Sequence, residues 1–385
     1  MRFLVRIKIL LLITLSELGG AQKVVHHIAA GLDPRQFDIT VACAPGGELV
    51  NWLRNMHRDI KIVEITDLKR DISPLNEIKA FMKLYALMKK NSYHIAHCHS
   101  SKAGVLGRLA AWLAGVPKIF FTAHGWGINE YQNRVLRFFY TWMERLAGAV
   151  STKVVCVSES DLMKARSLKL VSDEKLCLIY NGLPELKTRE GSLRRELNLA
   201  EKDIIVGTVA RLAPQKDPLF LLEVAERMIN CHNGWSGEGG LNFVLIGDGS
   251  LRPECEKFIN DKGLKGHVFL LGTREEAAHL VHDFDIFVLL SRWEGLPLTI
   301  IEAMMSGRPV VANSVGGVGE LVVHRETGLL INKLDADEAE KALFDLISNP
   351  EKRLSMGHYG RQRARNLFNI DQMVDKYKKL YLSII

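Results

Sequence analysis

Two glutamates eight residues apart, Glu294 and Glu302, bracket the stretch E-G-L-P-L-T-I-I-E-A-M-M-S-G, and the second stands in an otherwise apolar run. A buried carboxylate with no partner costs on the order of several kcal/mol, so Glu302 has to hold something. A carboxylate accepts from two neighbouring hydroxyls, as on a nucleotide ribose, and Glu294 ahead of it would then meet a sugar. An internal ion pair or a capping role for Glu302 is the other possibility. Pro297 suits a first helical turn, and the amides of that helix N-terminus favour an anion such as a phosphate.

Other residues add to this chemistry. A-R-L-A-P-Q-K-D-P places Arg211 and Lys216 in a loop restricted by Pro214 and Pro218. Two cations so held suit two neighbouring phosphates, unless they are only solvated surface charges. Gly247 to Gly249 in I-G-D-G-S are a backbone wall for the same ligand or a simple turn. Gly19 and Gly20 precede a helical pattern and let backbone amides approach an anion, or serve packing alone. His124 in T-A-H-G-W-G is a site candidate, lying at a strand exit beside glycines. His97 and His99 share one face of a strand around Cys98, but no further ligands with metal spacing accompany them, and no metal site is expected.

The elements that must position these residues follow from the alternation of β-branched runs with helical period. Strand-like runs are Val5 to Ile13, Phe37 to Cys43, Ile60 to Ile65, His94 to His97, Lys118 to Thr122, Lys153 to Val157 and Lys175 to Tyr180. A second series is Ile204 to Val209, Phe243 to Ile246, Val268 to Leu270, Asp285 to Leu290, Pro309 to Ala312 and Leu329 to Ile331. Helical stretches such as Leu75 to Lys90 and Ala103 to Ala114 separate them, and the tail from Asp335 is expected to be helical with a break at Asn349-Pro350. The fold class is α/β, two parallel sheets covered by helices, joined by a polar linker after Gly182. Ligands of such sheets sit beyond the carboxyl ends of the strands, so the expected site is a cleft between the two domains. The glycines from Cys231 to Gly240 are expected to form a mobile surface loop.

Charge is uneven. Residues 1 to 182 hold 25 Lys/Arg against 15 Asp/Glu, and residues 183 to 385 hold 26 against 29, so an overall +7 conceals a first half at +10. Such an excess can meet nucleic acid, an anionic membrane surface or a phosphorylated substrate, or be only a solvated surface, and no dense basic block appears. The six cysteines are dispersed, as in a reducing compartment. Arg2, Arg6 and Lys8 followed by Ile9 to Leu15 imitate a signal peptide, but no small-residue cleavage site follows, and the run is expected to be a first buried strand. It is too short to span a bilayer.

Taken together, G-G-A-Q, H-S-S-K-A-G-V-L-G-R-L-A-A, T-A-H-G, I-Y-N-G, V-A-R-L-x-x-Q-K-D, I-G-D-G and the paired glutamates resemble the family 4 (GT4) retaining glycosyltransferases of the GT-B fold over essentially the whole chain. The resemblance implies two Rossmann-like domains facing across a cleft. The first, 1–185, would bind the acceptor; the second, 186–366, would bind a nucleotide-sugar; a terminal helix, 367–385, would cross back to the first. It implies that Glu302 accepts from the ribose diol and that Glu294 holds a hydroxyl of the transferred sugar. Arg211 and Lys216 would grip the diphosphate, aided by amides around Gly20, Gly247, Gly295, Leu298 and Thr299, and His124 would contact the donor sugar near the reacting carbon. No cofactor or metal is expected, the cations and the helix N-terminus taking that electrostatic role. Family members are usually described as attacking from the front face, with a donor phosphate oxygen taking the acceptor's proton, so no protein general base is assigned. Gln22 departs from the glutamate common at that place.

The expected activity is transfer of a hexose or N-acetylhexosamine, from a UDP-sugar before other nucleotide-sugars, to a saccharide acceptor. A lipid-diphosphate-linked acceptor at the cytoplasmic face of a bacterial membrane, as in capsule or lipopolysaccharide assembly, fits the basic first half. Nucleic acid is not an expected partner. Two rival functions share the two-lobed outline: a solute-binding protein and a non-hydrolysing UDP-sugar 2-epimerase. A dinucleotide oxidoreductase lacks its glycine fingerprint in either half.

Overall fold

The computed structural model describes residues 6–56, 58–71, 73–185, 191–232, 239–332 and 334–383. The chain divides into two units, Met1–Gly182 with Ile370–Ile385, and Leu183–Asn369. Both are α/β.

In unit 1, β1 (Ile7–Leu12), α1 (Gly20–Gly31), β2 (Phe37–Cys43), α2 (Glu48–Arg54), β3 (Lys61–Glu64) and α3 (Pro74–Asn91) form the first half. Then come β4 (Ile95–His99), α4 (Ser101–Ala114), β5 (Lys118–Ala123), α5 (Arg134–Ala149), β6 (Lys153–Cys156), α6 (Glu159–Ser167) and β7 (Leu176–Leu178). Among the described residues they make a seven-stranded parallel sheet ordered β3-β2-β1-β4-β5-β6-β7. Helices cover both faces of such a sheet, so its central strands read as unbroken apolar runs instead of alternating ones. That is the physical origin of the N-terminal apolar run: Ile9 to Ile13 are fully buried in and just after β1.

Unit 2 repeats the plan with α7 (Ser192–Glu196), β8 (Ile204–Val209), α8 (Pro218–His232), β9 (Leu241–Ile246), α9 (Arg252–Asp261), β10 (Val268–Leu270) and α10 (Ala277–Leu280). It continues through β11 (Ile286–Leu289), α11 (Leu298–Met305), β12 (Val310–Asn313), α12 (Val318–Leu321), β13 (Gly328–Ile331), α13 (Ala336–Ser348) and α14 (Pro350–Leu367). Its parallel sheet runs β10-β9-β8-β11-β12-β13. In both sheets the order reverses between the first and fourth strands of the unit, at β1/β4 and at β8/β11. Those reversals are where loops diverge and leave room for a ligand. The last helix, α15 (Ile370–Leu382), belongs to unit 1 and packs against α1, where Val374 leaves no space for any side chain at Gly31.

Several boundaries differ from the sequence expectation. β4 runs two residues further, to His99, because parallel pairing with β5 continues to His99↔Thr122. Pro297 is the residue before α11, with extended backbone, and not part of its first turn. The C-terminal tail breaks a second time, at Phe368 and Asn369, where Leu183 donates to the Phe368 carbonyl and the chain passes back to unit 1. The segment expected as a polar linker is packed where it is described: Asp283 accepts from the amides of Gly191 and Leu193, and Leu193 is fully buried. Residues 186–190 lie outside the described residues, as does 233–238 of the expected glycine loop.

One buried ion pair fixes the outer helices of unit 1. Arg108 on α4 donates through Nη2 to Glu144 Oε2 on α5 at 2.5 Å and through Nε to the Gly104 carbonyl, and its guanidinium lies 4.0 Å over the Phe121 ring. The Arg108 side chain is 1% exposed and that of Glu144 8%, so neither charge has water to turn to. Glu144→Ala should therefore lower the stability of unit 1 by about 3–5 kcal/mol in urea unfolding, and Arg108→Met with Glu144→Leu should recover most of that loss.

Candidate active site

In unit 2 the strand order sets two exit loops side by side, residues 210–217 after β8 and 290–297 after β11. Three consecutive residues of the first hold three of the second. Gln215 donates through Nε2 to the Trp293 carbonyl at 3.0 Å, and its own carbonyl accepts from the Arg292 amide at 2.8 Å. Lys216 Nζ donates to Glu294 Oε1 at 2.5 Å. Asp217 accepts from Arg292 Nε at 2.7 Å. The Lys216 and Glu294 side chains are 16% and 5% exposed, which keeps their attraction less screened than a surface pair's. Arg211 is exposed and donates to Gln215 Oε1 at 3.3 Å, so the expected second cation stands at the same loop.

Four residues after Glu294 the chain enters α11. No side chain caps its start and no acidic residue occupies its first turn, so the amides of Leu298 and Thr299 remain at a positive helix end. Glu302 lies one turn further, 1% exposed. Behind the loop, Gly316 has φ +54, and a Cβ there would stand 2.0 Å from the Glu294 carbonyl; Gly317 donates to the Gly295 carbonyl at 2.9 Å. Glycine at 316 is therefore a condition for the position of Glu294. Gly247 plays a similar part, since with φ +138 it passes the Ala210 carbonyl where a Cβ would be 2.0 Å away. Its N–H is given to Gly272, at 2.8 Å, so what it contributes is close approach to the loop before Arg211.

In unit 1, Gly19 precedes α1 without a side-chain cap, and Gly20 opens the helix. Gln22 Nε2 donates to the Leu15 carbonyl at 3.0 Å, a bond a glutamate could not give. That is what the departure at Gln22 does: it ties the turn after β1 to the start of α1. At the β1/β4 reversal, Thr14 and Ser100 hydroxyls meet at 2.8 Å.

The strand exits of β4 and β5 gather three histidines. The His97 and His99 ring centroids are 4.2 Å apart, and His99 Nδ1 meets His124 Nε2 at 3.0 Å. His97 bonds Tyr381 Oη at 2.5 Å and Thr122 Oγ1 at 2.8 Å, and Thr122 bonds Tyr377 Oη at 3.0 Å, so α15 is clamped to the sheet through buried hydroxyls. Burial pushes His97 down to about 3 and His124 down to about 4, and it holds His99 well below the usual histidine value with further repulsion from His97 and His124. All three are neutral near pH 7. His99 Nε2 is buried with no partner among the described residues. An orphaned buried acceptor is tolerated better than an orphaned N–H, so His99 carries its proton on Nδ1 and gives it to His124 Nε2. His124, half-buried, is then left with Nδ1–H as a donor.

The structure thus brings Arg211, Lys216, Glu294, Gly295, Leu298, Thr299 and Glu302 to one edge of the second sheet, and Gly19, Gly20 and His124 to the carboxyl edge of the first. Sequence reasoning missed Gln215, Asp217, Arg292 and the pairing of His99 with His124. The triplet Q-K-D carried the signal for two of them, but nothing in sequence distance says that it faces R-W-E.

Family models described as Glycosyltransferase Family 4 and Glycosyl transferases group 1 match residues 18–185 and 190–363. The chain is 33% identical over 374 residues, 96% of it and 95% of the relative, to UDP-Gal:α-D-GlcNAc-diphosphoundecaprenol α-1,3-galactosyltransferase of Escherichia coli. It is 24% identical to the capsular polysaccharide biosynthesis glycosyltransferase CapM of Staphylococcus aureus, over 91% of each chain. The crystal structure of Anabaena HepE with UDP and glucose has the same fold, with a TM-score of 0.82 at 21% identity over 98% of this chain and 100% of that one.

The histidine cluster makes unit 1 sensitive to acid. With folded values below the unfolded one of about 6.5, the unfolded chain binds more protons, so the stabilisation is complete above about pH 6.5 and is lost as pH falls, toward 4 for His124 and toward 3 for His97. Each such histidine should contribute a slope of about 1.4 kcal/mol per pH unit in that window. His124→Asn should flatten the urea midpoint against pH by one histidine's share. In unit 2, Gly316→Ala should cost about 1–3 kcal/mol in the same measurement through its positive φ and its contact with the Glu294 carbonyl.

Proposed function

The chain belongs to the family 4 glycosyltransferases, and from that premise we propose that it is a retaining, metal-independent hexosyltransferase. It moves a hexose or N-acetylhexosamine from a nucleotide-sugar, in the first instance a UDP-sugar, to a saccharide carried on a lipid diphosphate in bacterial surface polysaccharide assembly. The observation that carries this proposal is the Lys216–Glu294 pair, locked between two loops next to an uncapped helix start. A cation, free amides and a carboxylate within one loop junction match a diphosphate joined to a hydroxyl-bearing ring. The E. coli relative supports the acceptor class, and CapM supports the pathway class.

In this mechanism Lys216 and Arg211 take the diphosphate, with the α11 amides adding to them, and stabilise the charge that grows on the leaving oxygen. Glu302 accepts from the ribose diol in a buried place where such bonds count most, and Glu294 accepts from a hydroxyl of the sugar. His124 offers its Nδ1–H to the donor sugar, and the amide of Gly20 assists at the diphosphate. The acceptor oxygen bonds to the anomeric carbon on the face from which the phosphate leaves, and its proton passes to the departing phosphate oxygen, so the protein supplies no general base. Unit 1 reads the acceptor at the cytoplasmic face of a membrane. Its contact with the membrane is peripheral in this proposal; among the described residues no helix is long and apolar enough to cross one.

Thermal unfolding without added metal, against a panel of UDP-, GDP- and ADP-sugars, tests the donor site. One UDP-sugar at about 100 times its Kd should stabilise the wild type by about 2.7 kcal/mol, and Glu302→Ala should lose that gain. No response to any nucleotide-sugar would overturn the donor assignment. An inverted anomeric configuration in the product, read by NMR, would overturn retention.

A further inference from the structure

Helix α5 presents a face that none of the described residues covers. Val135, Phe138, Phe139, Trp142 and Leu146 recur at three- and four-residue intervals along it and are 79%, 72%, 50%, 49% and 40% exposed. The opposite side of the same helix is fixed in place: Glu144, Ala147 and Gly148 are buried, and Glu144 holds Arg108. The stripe is therefore a presented surface and not a frayed end. Its N-terminus is set by Asn133, whose side chain accepts from the Leu136 amide at 2.8 Å. Exposed apolar side chains scattered singly need no explanation, but five on one stripe with two phenylalanines and a tryptophan do.

The charges on α5 identify the partner. Arg134, Arg137 and Arg145 are exposed, and the helix's one carboxylate, Glu144, is buried in its ion pair. An apolar aromatic stripe edged by cations alone is the pattern of a helix lying in the plane of an anionic lipid surface, its rings at the acyl boundary and its guanidinium groups among the headgroups. A second copy of the same face would bring arginines against arginines. The neighbouring helices extend the character: α4 packs on α5 and exposes Trp112 and Leu113, and α3 packs on α4 and exposes Leu75, Ile78 and Met82 beside Lys79 and Lys83.

We infer that α5 is the membrane-docking element of this protein, seating unit 1 on a bilayer rich in anionic lipid. This deepens the proposed peripheral contact by naming the element that makes it, and it rests on that proposal only for the acceptor's place in the same bilayer. The test is co-sedimentation at low ionic strength with vesicles of phosphatidylethanolamine and phosphatidylglycerol, and with vesicles of phosphatidylcholine alone. Wild type should favour the anionic vesicles by about tenfold or more. Phe138→Ser with Trp142→Ser should lower that partition about a hundredfold, with an unchanged unfolding midpoint, since both side chains are exposed. Arg134→Gln with Arg137→Gln should remove the preference for anionic lipid while leaving weak binding. The aromatic variant should also keep transfer to a short-chain, water-soluble lipid-diphosphate acceptor and lose it to a long-chain acceptor in vesicles. Wild type remaining in the supernatant, or an aromatic variant that binds like wild type, overturns the inference. A lipid-free dimer that the aromatic variant dissolves, without vesicle binding, overturns it in favour of self-association. If vesicle binding depends on α5 but no lipid-diphosphate acceptor is used, the docking role stands and the acceptor proposal falls.

Discussion

Everything at the edge of the second sheet depends on one clamp, in which Gln215, Lys216 and Asp217 hold Trp293, Glu294 and Arg292. Each loop is also held to other neighbours, the first through the Leu212 amide on the Asp248 carbonyl and the second through the Gly317 amide on the Gly295 carbonyl. Four short polar contacts, one of them a nearly dry ion pair, join them to one another. Asp217 takes a left-handed backbone, φ +46, to turn the chain from the clamp into α8. That conformation is uncommon outside glycine but tolerated by aspartate, and the partly buried bond from Arg292 holds it there.

The clamp is possible because strand order brings β8 and β11 together although about eighty residues separate their loops. The first sheet obeys the same rule at β1 and β4, where Thr14 meets Ser100. Close approach is then completed by glycines set where any Cβ would strike a carbonyl, Gly247 against Ala210 and Gly316 against Glu294. The polar groups are thus placed by backbone first and by side chain second. Groups held in this way are already in place for the leaving-group stabilisation proposed for this junction.

Unit 1 solves a different problem. Three imidazoles close together would repel if charged, and burial keeps them neutral. Neutrality is what gives the cluster a direction: one proton is shared between His99 and His124, and its place on His99 orients His124 as a donor. The tyrosines of α15 bond His97 and Thr122 in a second hydrogen-bonded group, against which the His99 ring packs, so the last helix of the polypeptide is part of the first unit's core and not an appendage.

How much of this was legible beforehand differs by physical cause. Short apolar and β-branched runs announce strands, and Phe37–Cys43, Ile204–Val209 and the half-buried edge strand Val268–Leu270 are legible in sequence to the residue. The paired glutamates and the two loop cations were legible because charge inside apolar or proline-restricted sequence has few bland explanations. The helical stripe of α5 was equally present in the sequence, yet its aromatic residues look like a core face until the fold shows that α4 covers the other side. Likewise His97 and His99 were visibly on one face of a strand, but only parallel pairing with β5 brought His124 to them. Sequence by itself determined element type, the repeated α/β plan and the residue types at the site, all of which follow from local period and composition. Tertiary structure alone decided which loops meet, which histidine orients which, and which apolar face stays in water, because these depend on strand order and helix packing between residues far apart in the chain.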